Sequence, residues 1–301
     1  MPSQLALALS RMIRKGKLPK LPSTPRPRTP DTLERDYYRD LRKIIDDLKG
    51  VIDIHLTPQM DALFKEASEP FQFIDSDDGI RKDSLEDLIF RVFSGMRVSM
   101  ARRLTEREAE SLAEHFAERG QRFNKEEIER QFRRVLGVSP LIGEPYLKEV
   151  AKSFTRQNVS LIQSIPEQYF NKVEGLVRKA TQEGMLNRDL AGKLKARLGS
   201  EIAEVTTNVD ARCRLIARDQ IAKYNSRLNE VRQRNLGVDS YEWVTVGDDR
   251  VRDSHRHKNG EVFQWSNSPA DTGHPGEDFQ CRCIAKPIFN YTGELGDLLN
   301  D

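Results

Sequence analysis

From Leu33 to Asn235 the apolar residues return every three or four positions, and after Gly237 they alternate. A chain with that change of period reads as a helical body followed by a small module containing strands. In the helical part, Leu33, Tyr37, Leu41, Ile44 and Leu48 form a first stripe that Lys49 and Gly50 are expected to end. Ser84 ahead of Asp87 opens a helix along Leu85, Leu88, Ile89, Val92 and Met96. Thr105 ahead of Glu108 opens another, expected to end by Gly120, with Asn124 starting a short successor. Tyr146 to Ile162 is helical in pattern, and Pro166 suits the first turn of a separate helix along Tyr169, Val173, Leu176 and Ala180 that stops at Gly184. Asn187 is expected to cap a short helix through Leu194. The longest helix is expected from about Asn208 to Asn235, along Cys213, Ala217, Ile221, Tyr224, Leu228 and Val231, with Gly237 closing it.

Beyond Gly237, Tyr241, Trp243 and Thr245 face one way along a strand while Glu242, Val244 and Val246 face the other. Asn259 and Gly260 suit a tight hairpin turn into a second strand, Val262 to Trp265. The fold class is therefore mainly α with a small C-terminal α+β module: long amphipathic helices, then a short antiparallel hairpin region. With 37% hydrophobic and 32% charged residues over 301 positions, the cores are thin relative to the surface, as long solvated helices require. The expected segments are a basic Pro-rich flexible arm (1–32), a helical domain (33–164), a domain of helices and the β module (165–291), and a tail (292–301). No uninterrupted apolar stretch approaches the roughly 20 residues that cross a bilayer, and Leu5 to Leu9 is too short for a secretory signal, so the expected compartment is the cytoplasm, with no membrane partner.

The net charge of +2 hides an uneven distribution. The first 30 residues hold Arg11, Arg14, Lys15, Lys17, Lys20, Arg26 and Arg28 and no acid, which leaves 42 basic against 47 acidic residues in the rest. Pro2, Pro19, Pro22, Pro25, Pro27 and Pro30 keep that stretch from forming a helix. Such an arm is either a solvated linker or a binder of phosphates, as in double-stranded DNA, or of an acidic protein groove.

Between Gly237 and Tyr291 lie both tryptophans, two of three cysteines and three of five histidines. Cys281 and Cys283 flank Arg282, and on an extended segment both sulfurs point to one side. A disulfide between them would close a strained ring, which leaves thiols or thiolate ligands. Zinc binds thiolate and imidazole in a tetrahedron, and the expected set is Cys281 and Cys283 with His255 or His257 and His274. The plainer alternative packs both cysteines as small hydrophobes beneath Trp243 or Trp265. Cys213 sits on its helix's apolar stripe and reads as core. Asp248, Asp249, Asp253, His255, His257 and Asn259 crowd one loop and allow a second function class, a metal-dependent nuclease acting on DNA. Turn chemistry explains the same residues. Arg250, Arg252 and Arg282 are expected to fork onto those carboxylates or onto open carbonyls.

The ordered residues Leu215-Ile216-Ala217-Arg218-Asp219-Gln220, Tyr224-Asn225, Tyr241 to Trp243, Asp248-Asp249-Arg250-Val251-Arg252, His255, Asn259-Gly260, His274-Pro275-Gly276 and Cys281-Arg282-Cys283 resemble the Mu F-like family of phage minor head proteins. The resemblance covers roughly residues 165 to 290. It implies a minor head protein of a tailed bacteriophage, acting in head morphogenesis near the portal and in DNA packaging or ejection. It implies a virion protein inside the head, in the host cytoplasm during assembly, with portal protein and major capsid or scaffolding protein as partners. It supplies no catalytic set, so no enzyme activity is expected. Arg218, Trp243, Asp248, Arg250, Arg252, Asn259, Gly260 and Arg282 are the motif residues, expected to be structural. Some members of the family carry Cys-x-x-Cys where Ser254 to His257 stand here. The substitution of histidine keeps a zinc-compatible donor. Five residues, Gly276 to Gln280, separate Pro275 from Cys281 in this chain.

Overall fold

The structure, a computed structural model, describes residues 23–68, 85–137, 143–186 and 191–289. Its long elements are α1 (Asp31–His55), α2 (Met60–Ser68), α3 (Leu85–Arg103), α4 (Glu106–Leu136), α5 (Leu147–Leu186) and α6 (Ala191–Asn235). The C-terminal part adds β1 (Ser240–Val244), a short α7 (Asp253–His257), β2 (Val262–Gln264) and β3 (Ile284–Pro287). Among the described residues, no helix is long and apolar enough to cross a membrane.

The expected start of α4 holds. Thr105 Oγ1 accepts from the Glu108 N–H at 3.2 Å while Glu108 Oε2 accepts from the Thr105 N–H at 2.7 Å, so two otherwise open donors are satisfied reciprocally. The expected start at Ser84 and the cap at Asn187 lie outside the described residues. Several expected stops are not stops. α1 runs past Gly50 because Val51 and Ile52 extend its buried stripe. α4 runs past Gly120, where the Tyr224 ring lies 2.8 Å from where a Cβ would be, so this glycine admits an aromatic neighbour. Asn124, expected to open a helix, is fully buried inside one: its amide donates to Asn225 Oδ1 at 2.9 Å and Asn229 Oδ1 at 2.7 Å. Its oxygen accepts from Arg232 Nη1 at 2.6 Å, and the buried Arg232 guanidinium also forks onto Glu144 at 2.6 and 2.9 Å.

Pro166 lies inside α5 rather than at a helix start. It cannot donate to the Ile162 carbonyl, yet the 40-residue helix continues because Ile162, Ile165, Tyr169 and Phe170 are all buried. The expected helices on either side of Asn208 are one helix of 45 residues, carried by buried Leu194, Leu198, Val209 and Cys213. Gly237, at φ +80°, ends it as expected. The Val238 N–H bonds Gln233 O at 2.9 Å and the Gly237 N–H bonds Arg234 O at 3.0 Å, the paired bonds of a glycine-terminated helix.

The sheet is antiparallel in the order β2-β1-β3, with Tyr241 opposite Phe263 and Trp243 opposite Ala285. Tyr241 and Trp243 are buried, as the alternation requires. β3 was not anticipated; its four residues take their definition from pairing with β1. Asn259-Gly260 does form a turn, closed by the Glu261 N–H on Lys258 O at 3.0 Å with Gly260 at φ +86°. It opens β2 without joining it directly to β1, since α7 intervenes.

The chain forms two compact units that differ from the expected segments 33–164 and 165–291, each of which contributes to both. The first gathers the described residues up to Tyr37, Leu112–Gln157 and those from Ala217 on. Its core includes Tyr37 against Phe116, Phe154 stacked on Tyr224 at 4.3 Å, and the packed face of the sheet. Residues 1–22 of the expected arm lie outside the described residues. Its described end is anchored within this unit: Thr24 Oγ1 donates to Pro287 O at 3.0 Å and Arg26 Nη2 to Thr245 O at 2.9 Å, while Arg28 pairs with Glu127 at 2.7 Å. The second unit comprises Tyr38–Ser111 and Asn158–Ile216. Leu41, Ile45, Leu48, Phe93, Met96, Tyr169 and Phe170 are buried in it. Cys213 is buried there too, its thiol pushed up to about 12 by burial.

Candidate functional site

Cys281 and Cys283 sit on the extended segment that enters β3, so both side chains point to the same face and join Trp243, Trp265, Tyr241 and Ala285 in one buried cluster. α7 brings His255 to them, with its ring edge-on to Trp243 at 5.5 Å. His255 Nδ1 lies 3.3 Å from Cys281 Sγ and 3.6 Å from Cys283 Sγ. The three residues are 3, 4 and 6% exposed. On the far side of the ring, His255 Nε2 is 3.1 Å from Asp278 Oδ2. A carboxylate only accepts, so this contact puts the proton of a neutral ring on Nε2 and leaves the Nδ1 lone pair facing the sulfurs.

The two thiols are electrically unequal. Cys281 Sγ accepts from the Cys283 thiol and from the N–H groups of Cys283 at 3.4 Å and Gly276 at 3.3 Å; led by the bond from Cys283, these hold its thiol below the ordinary value. Cys283 is held well above the ordinary thiol value because its proton is committed to Cys281 and because it is buried. Beside the cluster opens a cleft of about 110 Å³, whose walls include Arg218, Arg250, Arg252 and Arg282.

α6 seats the loop that carries Asp278. Asp219 Oδ1 accepts from the Gln280 N–H at 2.9 Å, fixing Gln280 at φ +57°, a conformation side chains rarely adopt. Ser226 Oγ donates to Pro275 O, and Gly276 at φ +92° lies so close to α6 that an added Cβ would be 2.8 Å from Ser226 Cβ. Gln233 accepts from Trp265 Nε1 at 3.1 Å and donates to Ala285 O at 3.2 Å.

Of the residues singled out in the sequence, His255, Cys281 and Cys283 are brought together; His257 and His274 are not. Two residues on from His255 along α7, His257 is rotated by about 200° and is exposed. His274 is buried, but its Nδ1 is 2.7 Å from the Tyr241 hydroxyl and its ring packs on Trp265 at 4.9 Å. The acidic loop does not form a carboxylate and imidazole cluster: among the described residues the group of potential ligands contains only His255, Cys281 and Cys283. Asp248 pairs with Arg282 at 2.7 Å, which holds its carboxyl below the usual range, and Asp253 is exposed. Arg252 bonds both Asp278 and the Phe279 carbonyl. Asn259 Oδ1 accepts from the Thr245 N–H at 2.9 Å and hydroxyl at 3.0 Å. Of the arm cations, Arg11, Arg14, Lys15, Lys17 and Lys20 lie outside the described residues. Asp278 and Asp219 were missed, because no local spacing ties either carboxylate to partners 23 and 61 residues away.

Residues 171–286 match the family model described as Phage Mu protein F like protein. An uncharacterized protein of Haemophilus influenzae is 36% identical over 191 residues, which is 62% of this chain and 41% of that protein. The chain thus spans less than half the length of that relative. No solved structure matches it.

Proposed function

We propose, from the membership of residues 171–286 in the Mu F-like family of phage proteins, that the chain is a structural component of phage head morphogenesis. In this reading it is a minor head protein held inside the head near the portal, contacting portal protein and major capsid or scaffolding protein and acting in DNA packaging or ejection. The observation that carries the reading is how the family-motif residues are spent. Asp248, Arg252, Asn259 and Arg282 bond neighbouring side chains and backbone within the module. Trp243 fills its core. The cleft beside them is small, about 110 Å³. Arg26 and Arg28 are bonded internally, so engagement of DNA or an acidic protein groove falls to Arg11, Arg14, Lys15, Lys17 and Lys20.

The test is an in-frame deletion of the gene in its phage, with complementation by the full chain, scored by electron microscopy of heads and by recovery of the tagged chain with portal protein from nuclease-treated lysate. The expected result is a loss of DNA-filled heads, restored on complementation, and co-recovery with portal protein. Filled heads at undiminished yield without the gene would overturn the reading. So would cleavage of plasmid DNA in magnesium, manganese or zinc that is lost in both His255→Ala and Asp249→Ala variants, which would install the nuclease in its place.

A further inference from the structure

The sulfur and imidazole cluster has a geometry that core packing does not require. Two cysteines acting only as small hydrophobes need no particular angle to a ring nitrogen. Here one Nδ1 lone pair faces both sulfurs, at 3.3 and 3.6 Å, and the three donor atoms all lie within 4.8 Å of one another. A tetrahedral ion bonded at about 2.3 Å to sulfur and 2.05 Å to nitrogen sets such donors about 3.6 Å apart. The two nitrogen–sulfur distances, 3.3 and 3.6 Å, are already close to that spacing.

Three further observations point the same way. First, the His255 Nε2 contact with Asp278 is the arrangement in which a carboxylate fixes the ring so that the other nitrogen is free to ligate. Arg252 in turn holds Asp278. Second, the donor set is two sulfurs and one imidazole, with no oxygen ligand in the group, which suits zinc and disfavours magnesium or calcium. Third, the ligands come from separate elements of a thin module: α7 on one side and the segment entering β3 on the other, tied otherwise by a sheet whose outer strands have three and four residues. An ion there would cross-link them.

We propose that His255 Nδ1, Cys281 Sγ and Cys283 Sγ bind one zinc ion, with Asp278 as the residue that orients His255, and that the fourth coordination position opens to the arginine-lined cleft and takes a solvent oxygen. His257 and His274 take no part. Both thiols lose their protons on binding, and the bonds join α7 to the segment that enters β3. The proposal stands on the site itself and does not rest on the assembly reading.

The test uses the full chain. After purification and exhaustive dialysis, elemental analysis is expected to give one zinc per chain. Chelator-treated protein titrated with cobalt(II) is expected to develop the intense near-ultraviolet thiolate-to-metal band and the visible bands of a tetrahedral ion, saturating at one equivalent. Cys281→Ser, Cys283→Ser and His255→Ala should each abolish stoichiometric zinc. His257→Ala should retain it, and Asp278→Asn should weaken binding by about 10- to 100-fold. Absence of both zinc and the cobalt thiolate band in the unaltered chain would overturn the proposal, and that measurement needs no variant to fold. Full retention of zinc by both serine variants, or its loss in His257→Ala, would overturn the ligand set.

Discussion

At the scale of single residues, the unit that carries the sheet holds groups kept in costly states by their surroundings, and Glu34 gives a measurable case. Burial raises its carboxyl to about 7, with Asp31 adding to the effect and Arg218 and Arg282 opposing it. The folded state therefore holds a proton that the unfolded chain has released between about pH 4.5 and 7. Stability should accordingly fall as pH rises through that window, by up to about 3 kcal/mol at 1.36 kcal/mol per unit, and be level on either side. Glu34→Gln, which mimics the protonated form, should remove the slope, making the variant more stable than the parent at pH 8 and nearly equal below pH 4.5. Urea unfolding at pH 4.5, 6 and 8 checks this; a pH-independent difference would exonerate Glu34. Which residues matter was only half legible in the sequence. The spacing Cys281-x-Cys283 announced itself, because alternation along an extended segment is local geometry. His257 misled because an expected loop is a helical turn, which sends positions two apart to opposite sides. Arg232 gave no warning: its buried fork onto Glu144 and Asn124 depends on partners 88 and 108 residues away.

At the scale of elements, the start of α4 at Thr105 and the end of α6 at Gly237 were legible in the sequence, while the starts expected at Asn124, Pro166 and Asn208 fall inside helices. The Thr105 and Glu108 box and the Gly237 terminus are made by neighbours in sequence, so they could be read directly. Gly120, Asn124 and Pro166 carry the same vocabulary of interruption yet lie inside helices, because burial of the flanking apolar residues outweighs a local preference of about 1 kcal/mol for glycine and about 3 kcal/mol for proline. β3 could not be read for the opposite reason: four residues have too little pattern of their own. The loop from Thr272 to Gln280 is fitted to α6 by contact rather than by propensity, and Gly276 is where that fit is tightest. Gly276→Ala would place a methyl 2.8 Å from Ser226 Cβ and 3.2 Å from the Ala222 carbonyl at φ +92°. It should cost on the order of 2 kcal/mol or more, lowering the urea midpoint at unchanged slope. A midpoint within error of the parent would show that the loop does not depend on this approach.

At the scale of the whole molecule, the family-matched stretch is not a free-standing piece. Residues 171–286 begin inside α5 and leave out Phe154, which stacks on Tyr224, and Asn124 and Glu144, which satisfy Arg232. Expressed alone, that stretch should expose Tyr224 and strand a buried guanidinium. It should then show no cooperative thermal transition, where the full chain shows one; a sharp transition in the fragment would establish independence after all. The anchoring of Thr24 and Arg26 has a mechanical corollary. Traction on the leading residues is delivered to the trailing ends of β1 and β3 before it reaches α1. Whatever grips the start of the polypeptide therefore holds a lever on the strands flanking the sulfur pair, more than 200 positions away along the chain.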